Sequence, residues 1–350
     1  MWLVSAAMIP DAWAALRGLP RDRSEHEGLI NATWVVGDPP RFIAQQVSPL
    51  FGPDVHEDIE AVTAHLAGRG LPTPRLVRAD DGALFARDDE GAVWRVMDFI
   101  PGRTCHQMES PVMARAAGAL VARFHRAVDD LEHAYRHVRP GAHDTALHMG
   151  QLEASTSHEA ALQRARFAAA ATHDEARRVA DAILEGWRTW SGRLDLPARH
   201  CHGDLKISNL RFSDEGEGIC LIDFDTLALL PLDVELGDAL RSWCNPIGED
   251  STEARLDLEI FASAIDGYQE ERELAVEERE ALAGGVERIA LELAARFCRD
   301  VFEDQYFGWD AARFGSRADH NLHRAKGQLS LARSARRQRA EVERLLVGRG

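Results

Sequence analysis

Residues 200–246 read HCHGDLKISNLRFSDEGEGICLIDFDTLALLPLDVELGDALRSWCNP. The first part of this stretch places Asp204, Lys206 and Asn209 close together along the chain, and an apolar run further on leads into Asp223. Oxygen-bearing side chains are the ligands that magnesium prefers. Transfer of the γ-phosphoryl group of ATP requires neutralised phosphates and an acceptor hydroxyl held in line. The spacing therefore indicates a phosphoryl-transfer site for ATP and Mg²⁺.

Each polar residue of this stretch has a distinct expected role. Asp204 would accept the proton or hydrogen bond of the attacking hydroxyl, and Asn209 and Asp223 would hold magnesium. Lys206 would balance charge on the transferring phosphoryl group. The alternative is that these residues cap turns or end a strand, because Asp and Asn are favoured there. That alternative explains any one of them better than it explains the joint spacing HGDxxxxN followed by an apolar strand that ends in Asp.

Length and charge limit the possible functions. A chain of 350 residues exceeds the ~250–300 residues at which a single core stops growing, so we expect two lobes. The formal net charge of −16 argues against a nucleic acid partner, because the phosphate backbone would be repelled. An acidic surface leaves open a cationic ligand.

The cysteines and the apolar segments suggest a cellular compartment. The five cysteines are odd in number and contain no CxxC pair, so neither a disulfide framework nor a zinc site is indicated. A reducing cytoplasm fits this pattern. The apolar residues 1–10 lack a basic segment, and no apolar run approaches the ~18 residues of a membrane span. We therefore expect a cytoplasmic protein without a signal peptide or a membrane partner.

Residues 1–98 have the pattern of a small α+β lobe. Two strands joined by a polar turn indicate a hairpin, and Val55, Ile59, Val62 and Leu66 recur at helical spacing after it. A proline and a glycine at 101–102 predict a hinge at about 97–102. The predicted elements are a helix at 11–19, strands at 28–36 and 41–47, a helix at 54–68, and strands at 76–77, 84–85 and 93–97.

Residues 99–350 read almost entirely as helix. The loop at 130–150 is long for a compact domain and rich in histidine, which indicates a binding or lid segment, or simple mobility. The predicted helices cover 110–128, 153–171, 174–192, 251–269, 277–307 and 319–346.

The quoted stretch resembles the aminoglycoside phosphotransferase superfamily, which shares the protein-kinase-like fold and has HGD where protein kinases carry HRD. Residues 25–66, 94–102 and 291–329 are similar to its hairpin and helix, hinge, and C-terminal helices. The resemblance implies an α+β, bilobal protein-kinase-like fold. A small antiparallel-sheet lobe (1–98) would bind nucleotide, and a large helical lobe (99–350) would carry catalysis and acceptor binding.

Three segments further resemble the N-acetylhexosamine 1-kinase branch: 222–226 followed by 236–241, 28–33 in the nucleotide loop, and 320–325. That branch phosphorylates the anomeric hydroxyl of N-acetylated hexosamines, so we expect a small-molecule partner, a sugar, and a monomer or homodimer. Asp225, Tyr306, His320 and Arg324 could line the acceptor pocket, since aromatic faces and hydrogen-bonding groups suit a sugar. They could equally be structural, and Asp225 could instead lie beside the metal.

The expected nucleotide contacts include one departure from the kinase pattern. Kinases with a VAIK motif carry a strand lysine that bridges the phosphates to a glutamate on the next helix. The corresponding residue here is Gln45, with Glu57 or Glu60 as the helix glutamate. A glutamine supplies no charge, so either the phosphates are held less tightly or Arg41 or Lys206 substitutes.

Other nucleotide contacts would come from Asn31 in the nucleotide loop and from the hinge backbone between Asp98 and Ile100. Two alternatives to a sugar kinase stay open. One is phosphorylation of an aminoglycoside or another small cationic alcohol, which the acidic charge favours. The other is a pseudokinase that binds nucleotide without turnover, which the missing strand lysine suggests and the intact Asp204, Asn209 and Asp223 oppose.

Overall fold

The computed structural model describes residues 9–23, 31–157, 170–248 and 250–347. Three predicted segments lie partly outside the described residues: the apolar N-terminus at 1–8, the strand predicted at 28–36 at 28–30, and the helix predicted at 153–171 at 158–169.

An antiparallel sheet forms the N-terminal part of the structure. Side chains along each strand point alternately to the two faces of the sheet. Trp34, Ala44 and Trp94 share one face and pack with Trp13 and Leu16. Gln45 and Arg95 lie opposite each other in the register and point to the other face. The strands are β1 (Arg21–Arg23), β2 (Ala32–Val36), β3 (Phe42–Gln46), β4 (Ala86–Arg87) and β5 (Val93–Asp98), in the order β1-β2-β3-β5-β4.

Most of the elements predicted before residue 98 are present. The hairpin is β2–β3, and the helix is α1 (Val55–Gly68), whose apolar stripe is buried. The helix predicted at 11–19 is wrong: only a 3₁₀ turn at Ala14–Leu16 forms, because Gly18 takes a positive φ of 75° and Pro20 follows. The strand predicted at 76–77 is reduced to a bridge from Leu76 to Met97.

The remainder is dominated by helices. Ser110 caps the first of them by accepting a hydrogen bond from Met113 N at 3.2 Å. The helix predicted at 251–269 begins later, because Asp257 is its N-cap, and the one predicted at 319–346 is broken at Gln338. These helices are α2 (Pro111–Val128), α3 (Thr145–Thr156), α4 (Ala170–Arg188), α5 (Leu232–Trp243), α6 (Leu258–Glu271), α7 (Val276–Glu303), α8 (Arg317–Arg337) and α9 (Arg339–Val347).

Short strands carry the stretch at 200–246. The sequence indicated only the strand before Asp223, but β7 pairs with β10, and β6, β8 and β9 form a second small sheet. The strands are β6 (Arg103–Thr104), β7 (Ala198–Cys201), β8 (Leu210–Phe212), β9 (Gly218–Leu221) and β10 (Ala228–Pro231). The predicted α+β class, with an N-terminal antiparallel sheet and a mainly helical C-terminal part, is confirmed.

All five cysteines are buried and free. Among the described helices, none combines the length and the apolar character needed to cross a membrane.

Candidate active site

The loop that follows β7 carries the HGD motif, and hydrogen bonds to a side chain of α5 hold its backbone. Glu235 of α5 is buried, and its two carboxylate oxygens accept the backbone N–H groups of His202 at 2.7 Å and Gly203 at 2.9 Å. Gly203 has a φ of +81°, and a Cβ there would lie 2.2 Å from the carbonyl oxygen of Thr226. Glycine is therefore required at this position, and the loop backbone is fixed beside Asp204.

Asp204, Lys206 and Asn209 converge as the sequence predicts. Lys206 Nζ lies 2.5 Å from Asp204 Oδ2, and Asn209 Nδ2 donates to the Asp204 backbone carbonyl at 2.8 Å and to its carboxylate at 3.2 Å. Burial alone would raise the pKa of Asp204, but the Lys206 ammonium outweighs it and the net shift is downward. Asp204 is therefore an ionised carboxylate at neutral pH.

Asp223 follows the β8–β9 hairpin and is the second carboxylate near Lys206. It adopts a left-handed conformation with a φ of 69°, and its carboxylate lies 3.9 Å from Lys206 Nζ. Burial and the neighbouring charge of Asp225 raise the pKa of Asp223. A cation would relieve this crowding of carboxylates. Asn209 donates through its amide nitrogen, so its carbonyl oxygen is left to act as a ligand, and amide and carboxylate oxygens such as those of Asn209 and Asp223 are the donors that Mg²⁺ prefers.

Asp225 contacts the N-terminal sheet. Its carboxylate forms an ion pair with Arg95 of β5 and accepts from Asn31 Nδ2 at 2.7 Å. Asn31 in turn accepts from the backbone N–H of Ser48 at 2.8 Å. Both side chains of the Arg95–Asp225 pair are almost completely buried, with relative exposures of 1% and 2%.

Arg95 is the functional candidate that sequence reasoning missed. Its Nε and Nη2 donate to Gln45 Oε1 at 2.9 and 2.7 Å, so the predicted nucleotide residue Gln45 contacts a cation supplied by the adjacent strand. A signal was present in the sequence, since Arg95 interrupts an apolar strand between Trp94 and Val96.

The structure does not bring the α1 glutamates to Gln45. Glu57 pairs with Arg136 in an exposed ion pair, and Glu60 pairs with Arg75 at 3.2 Å and Arg78 at 3.1 Å. Arg41, the other predicted substitute cation, is exposed and lies over the ring of Phe42.

The predicted hinge residues lie at the end of β5. Asp98 pairs with Phe42 in the sheet register, and burial raises the pKa of its carboxyl. The carbonyl oxygen of Ile100 accepts from Arg211 Nη2 at 3.0 Å. Arg211 thereby connects the segment after β5 to the hairpin that carries Asn209 and Asp223.

A cavity of about 740 Å³ adjoins the HGD loop. Residues 134–144 form one wall, β10 forms another, and Gly203 and Asp225 contribute from the loop. Tyr306 lines this cavity, whereas His320 and Arg324 lie outside it and contact Asp250, each at 3.1 Å. Of the residues predicted for the acceptor, Tyr306 and Asp225 are thus together and the other two are elsewhere.

Three arginines and three carboxylates line the cavity, and Arg299 among the arginines is paired with Glu303 at 3.3 Å. Arg139, Arg296 and Arg299 face it together with several histidines. Its carboxylates have protein partners: Asp144 caps α3, Asp225 pairs with Arg95, and Asp300 accepts three backbone N–H groups and Asn321 Nδ2.

An ion pair between His143 and Glu292 lies in the wall of the cavity. His143 Nδ1 lies 3.4 Å from Glu292 Oε1, and Thr145 Oγ1 donates to Glu292 Oε2 at 2.7 Å. Burial alone would raise the pKa of Glu292, but His143 and Thr145 lower it to about 2. Burial alone would lower the pKa of His143, but the Glu292 carboxylate outweighs it and the net shift of this pKa is upward. The pair therefore stabilises the wall of the cavity next to Gly203.

Residues 25–274 match the phosphotransferase enzyme family (APH). The chain belongs to this family. A homoserine kinase from Granulibacter bethesdensis is 26% identical to this chain over 231 residues, which cover 66% of the chain and 65% of that kinase. The match therefore spans less than two thirds of the relative's own length.

Solved structures similar to this phosphotransferase are 14–18% identical to it, so their likeness shows the fold alone. An aminoglycoside phosphotransferase from Alicyclobacillus acidocaldarius has a TM-score of 0.64 and 16% identity, over 97% of this chain and 98% of its own. A microcompartment-associated aminopropanol kinase has a TM-score of 0.63 and 18% identity, over 95% of this chain and 96% of its own. An amicoumacin kinase in complex with AMP-PNP and Ca²⁺ has a TM-score of 0.56 and 14% identity, over 88% of this chain and 89% of its own. The predicted kinase-like fold is confirmed.

Proposed function

We propose that this phosphotransferase transfers the γ-phosphoryl group of ATP to a hydroxyl group of a small molecule that enters the cavity beside Gly203. The observation that carries the proposal is the position of Lys206, with its ammonium between the carboxylates of Asp204 and Asp223 at 2.5 and 3.9 Å. Opposite charges arranged in this way suit a reaction in which the protein's main contributions are positioning and electrostatic stabilisation.

Each residue has one task in the proposed reaction. The bond from the γ-phosphorus to ADP breaks while the acceptor oxygen bonds to the same phosphorus, and the acceptor proton passes to Asp204. Lys206 stabilises negative charge on the transferring group. Asn209 and Asp223 would hold Mg²⁺, which supplies further neutralisation of the donor phosphates. Asp204 is a weak base, so its main contribution is to orient the hydroxyl.

Our leading acceptor is an N-acetylhexosamine phosphorylated at its anomeric hydroxyl. The segments at 222–226 and 236–241 support this assignment, as does a cavity with room for a sugar. Arg139 and Arg296 can donate to sugar oxygens, and Tyr306 and Phe307 offer aromatic surface. The cavity disfavours a polycationic aminoglycoside, because the guanidinium groups of Arg139 and Arg296 line it while its carboxylates are engaged by protein donors.

A hydroxy amino acid is the second candidate. In the part of the chain that the structure describes, neither Arg139 nor Arg296 has a carboxylate partner: Arg139 Nη2 donates to the Tyr306 hydroxyl at 2.8 Å, and Arg296 lies over the rings of Tyr306 and Phe307. Such a guanidinium can donate two parallel hydrogen bonds to a carboxylate of the substrate. The similarity to a homoserine kinase adds support.

The test is Mg²⁺-dependent ADP formation across N-acetylglucosamine, N-acetylgalactosamine, glucose, homoserine, 1-amino-2-propanol and kanamycin, with ³¹P–¹H NMR to identify the phosphorylated oxygen. We expect turnover with N-acetylhexosamines and none with the methyl glycoside of N-acetylglucosamine, which lacks a free anomeric hydroxyl. Phosphate on any other oxygen removes the hexosamine assignment. Turnover with homoserine alone supports the second candidate.

Two further results bear on the reaction class. Arg296→Gln should raise KM for the acceptor and leave KM for ATP unchanged, since Arg296 lines the cavity and lies away from the Asp204 cluster. If nucleotide raises Tm while no acceptor stimulates ATP turnover, the protein is a pseudokinase and the proposed function is wrong.

A further inference from the structure

The cation nearest to Gln45 comes from the neighbouring strand. Gln45 of β3 and Arg95 of β5 are register partners, so their side chains leave the same face of the sheet. Arg95 is buried and donates twice to Gln45 Oε1. The positive charge absent at position 45 is therefore supplied one strand away, and glutamine at 45 acts as its acceptor.

The counterion of Arg95 belongs to the other lobe. Arg95 Nη1 and Nη2 reach the two carboxylate oxygens of Asp225, the second at 2.8 Å. Asp225 lies two residues beyond Asp223, in the 3₁₀ turn Phe224–Thr226. A buried guanidinium without a counterion would be strongly destabilising, so this pair determines how β5 and the turn fit together.

We propose that the Arg95–Asp225 pair is the tie between the lobes that sets the position of Asp223, in place of a pair between a strand lysine and a helix glutamate. Arg95 is a positioning residue: it acts on the donor site through Asp225 and does not itself contact the donor. The inference rests on the proposed function only in assigning the donor site to Asp223 and Asn209.

The geometry supports a positioning role over a direct one. Four of the five guanidinium N–H groups already have acceptors in Gln45 and Asp225, and the side chain is 1% exposed. A planar fork bound to both oxygens of a carboxylate restrains orientation as well as distance. The restraint matters because Asp223 holds a left-handed backbone conformation, which persists only when its surroundings impose it.

Helix α1 supplies no ion pair to the turn after Asp223 among the described residues. The ion pair that joins the sheet to this turn is the one made by Arg95. Glu57 and Glu60 are paired with arginines elsewhere. Asp58 is buried, but it accepts His133 Nε2 at 2.7 Å and the backbone N–H of His137 at 2.8 Å, both in the loop that lines the cavity. Helix α1 is thereby fixed to the acceptor side.

The experiment measures the Kd of Mg²⁺-bound AMP-PNP by calorimetry, which needs no acceptor. Wild type is compared with Arg95→Met, Arg95→Lys, Asp225→Asn and the double variant R95M/D225N, with Tm as a check on folding. We expect each single variant to bind roughly 10- to 100-fold more weakly, the range seen when groups that orient metal ligands are removed. Lysine should not rescue, because it cannot form the bidentate pair.

The double variant keeps the test valid if a single variant fails to fold, since it leaves no unpaired buried charge. Its loss of affinity should be smaller than the two single losses combined, because both substitutions remove the same interaction. Arg272→Met is the matched control: it breaks the largely buried Arg272–Glu278 pair between α6 and α7, 3.0 Å long, and should leave nucleotide affinity unchanged.

Two outcomes overturn different claims. If wild type binds Mg²⁺-bound AMP-PNP and the folded double variant binds it equally well, the positioning role of Arg95 is wrong and the proposed function stands. If wild type does not bind the nucleotide, the donor site itself is misassigned.

Discussion

The ammonium of Lys206 lies 2.5 Å from the carboxylate of Asp204. The same ammonium is 3.9 Å from Asp223, so one cation serves the expected base and the expected metal ligand. Burial would lower the pKa of Lys206, but Asp204 and Asp223 raise it above its ordinary value. The lysine is thus charged throughout the physiological range, and its loss should affect both carboxylates.

Replacing Lys206 by methionine should lower kcat by about 10²–10³-fold, the range for removal of one electrostatic stabiliser of a transition state. The pKa of Asp204 should rise, because the ammonium that lowers it is gone. The acidic limb of the pH–rate profile then moves to higher pH. The control is Lys326→Met, which changes the only other lysine of the chain, an ion-pair partner of Glu175. Equal profiles for the two variants would contradict the role given to Lys206.

Replacing Glu235 by glutamine should disturb the HGD loop. The amide nitrogen of glutamine cannot accept a hydrogen bond, so either the His202 or the Gly203 N–H loses its partner. An unsatisfied buried donor costs about 1–3 kcal/mol. We expect the free energy of unfolding to fall by that amount and kcat to fall more than KM changes. Glu270→Gln removes an exposed carboxylate paired with Arg115 and should change stability by less than about 0.5 kcal/mol.

The His143–Glu292 pair should make stability depend on pH. Glu292 titrates near 2 in the folded protein, below its ordinary 4.5, which corresponds to a stabilisation on the order of 3 kcal/mol. This contribution is complete above pH 4.5 and is lost as pH falls towards about 2. The pKa of His143 is raised, so its part is present at low pH and is lost as pH rises through that raised pKa.

The measurement is urea unfolding of wild type and Glu292→Gln at several pH values. The difference in the free energy of unfolding should be largest near neutrality and should shrink below pH 4.5, because the carboxylate of the unfolded chain becomes protonated there while the native carboxylate, with a pKa of about 2, stays ionised. A difference that stays constant from neutrality to pH 3 would show that the charge of Glu292 contributes nothing.

Local patterns in the sequence predicted that Asp204, Asn209 and Asp223 lie together. The spacing of Asp204, Asn209 and Asp223 is short-range information, and the structure brings these residues together around Lys206. The hairpin β2–β3 and helix α1 were likewise readable, because turn residues and helical periodicity encode them directly. The helix expected at 11–19 does not form, because Trp13 and Leu16 pack against the sheet and Gly18 ends the 3₁₀ turn.

The acceptor side depends on contacts between distant parts of the chain. Arg139, Arg296 and Tyr306 come from a loop, a helix and the segment after that helix, and periodicity carries no information on their meeting. His320, expected beside Tyr306 because hydrogen-bonding groups and aromatic faces suit a sugar, contacts Asp250 instead. Arg95 was missed for the same reason: its partner Asp225 is 130 residues away.

The central claim is that Asp204 serves the transfer of the ATP γ-phosphoryl group to an acceptor hydroxyl, and an isosteric change tests it most directly. Asp204→Asn keeps the shape of the side chain and removes the proton acceptor. With the acceptor identified by the substrate screen, kcat should fall by about 10²–10⁴-fold, while the Kd of Mg²⁺-bound AMP-PNP and Tm stay near those of wild type. Wild-type turnover in a folded Asp204→Asn variant would contradict the claim.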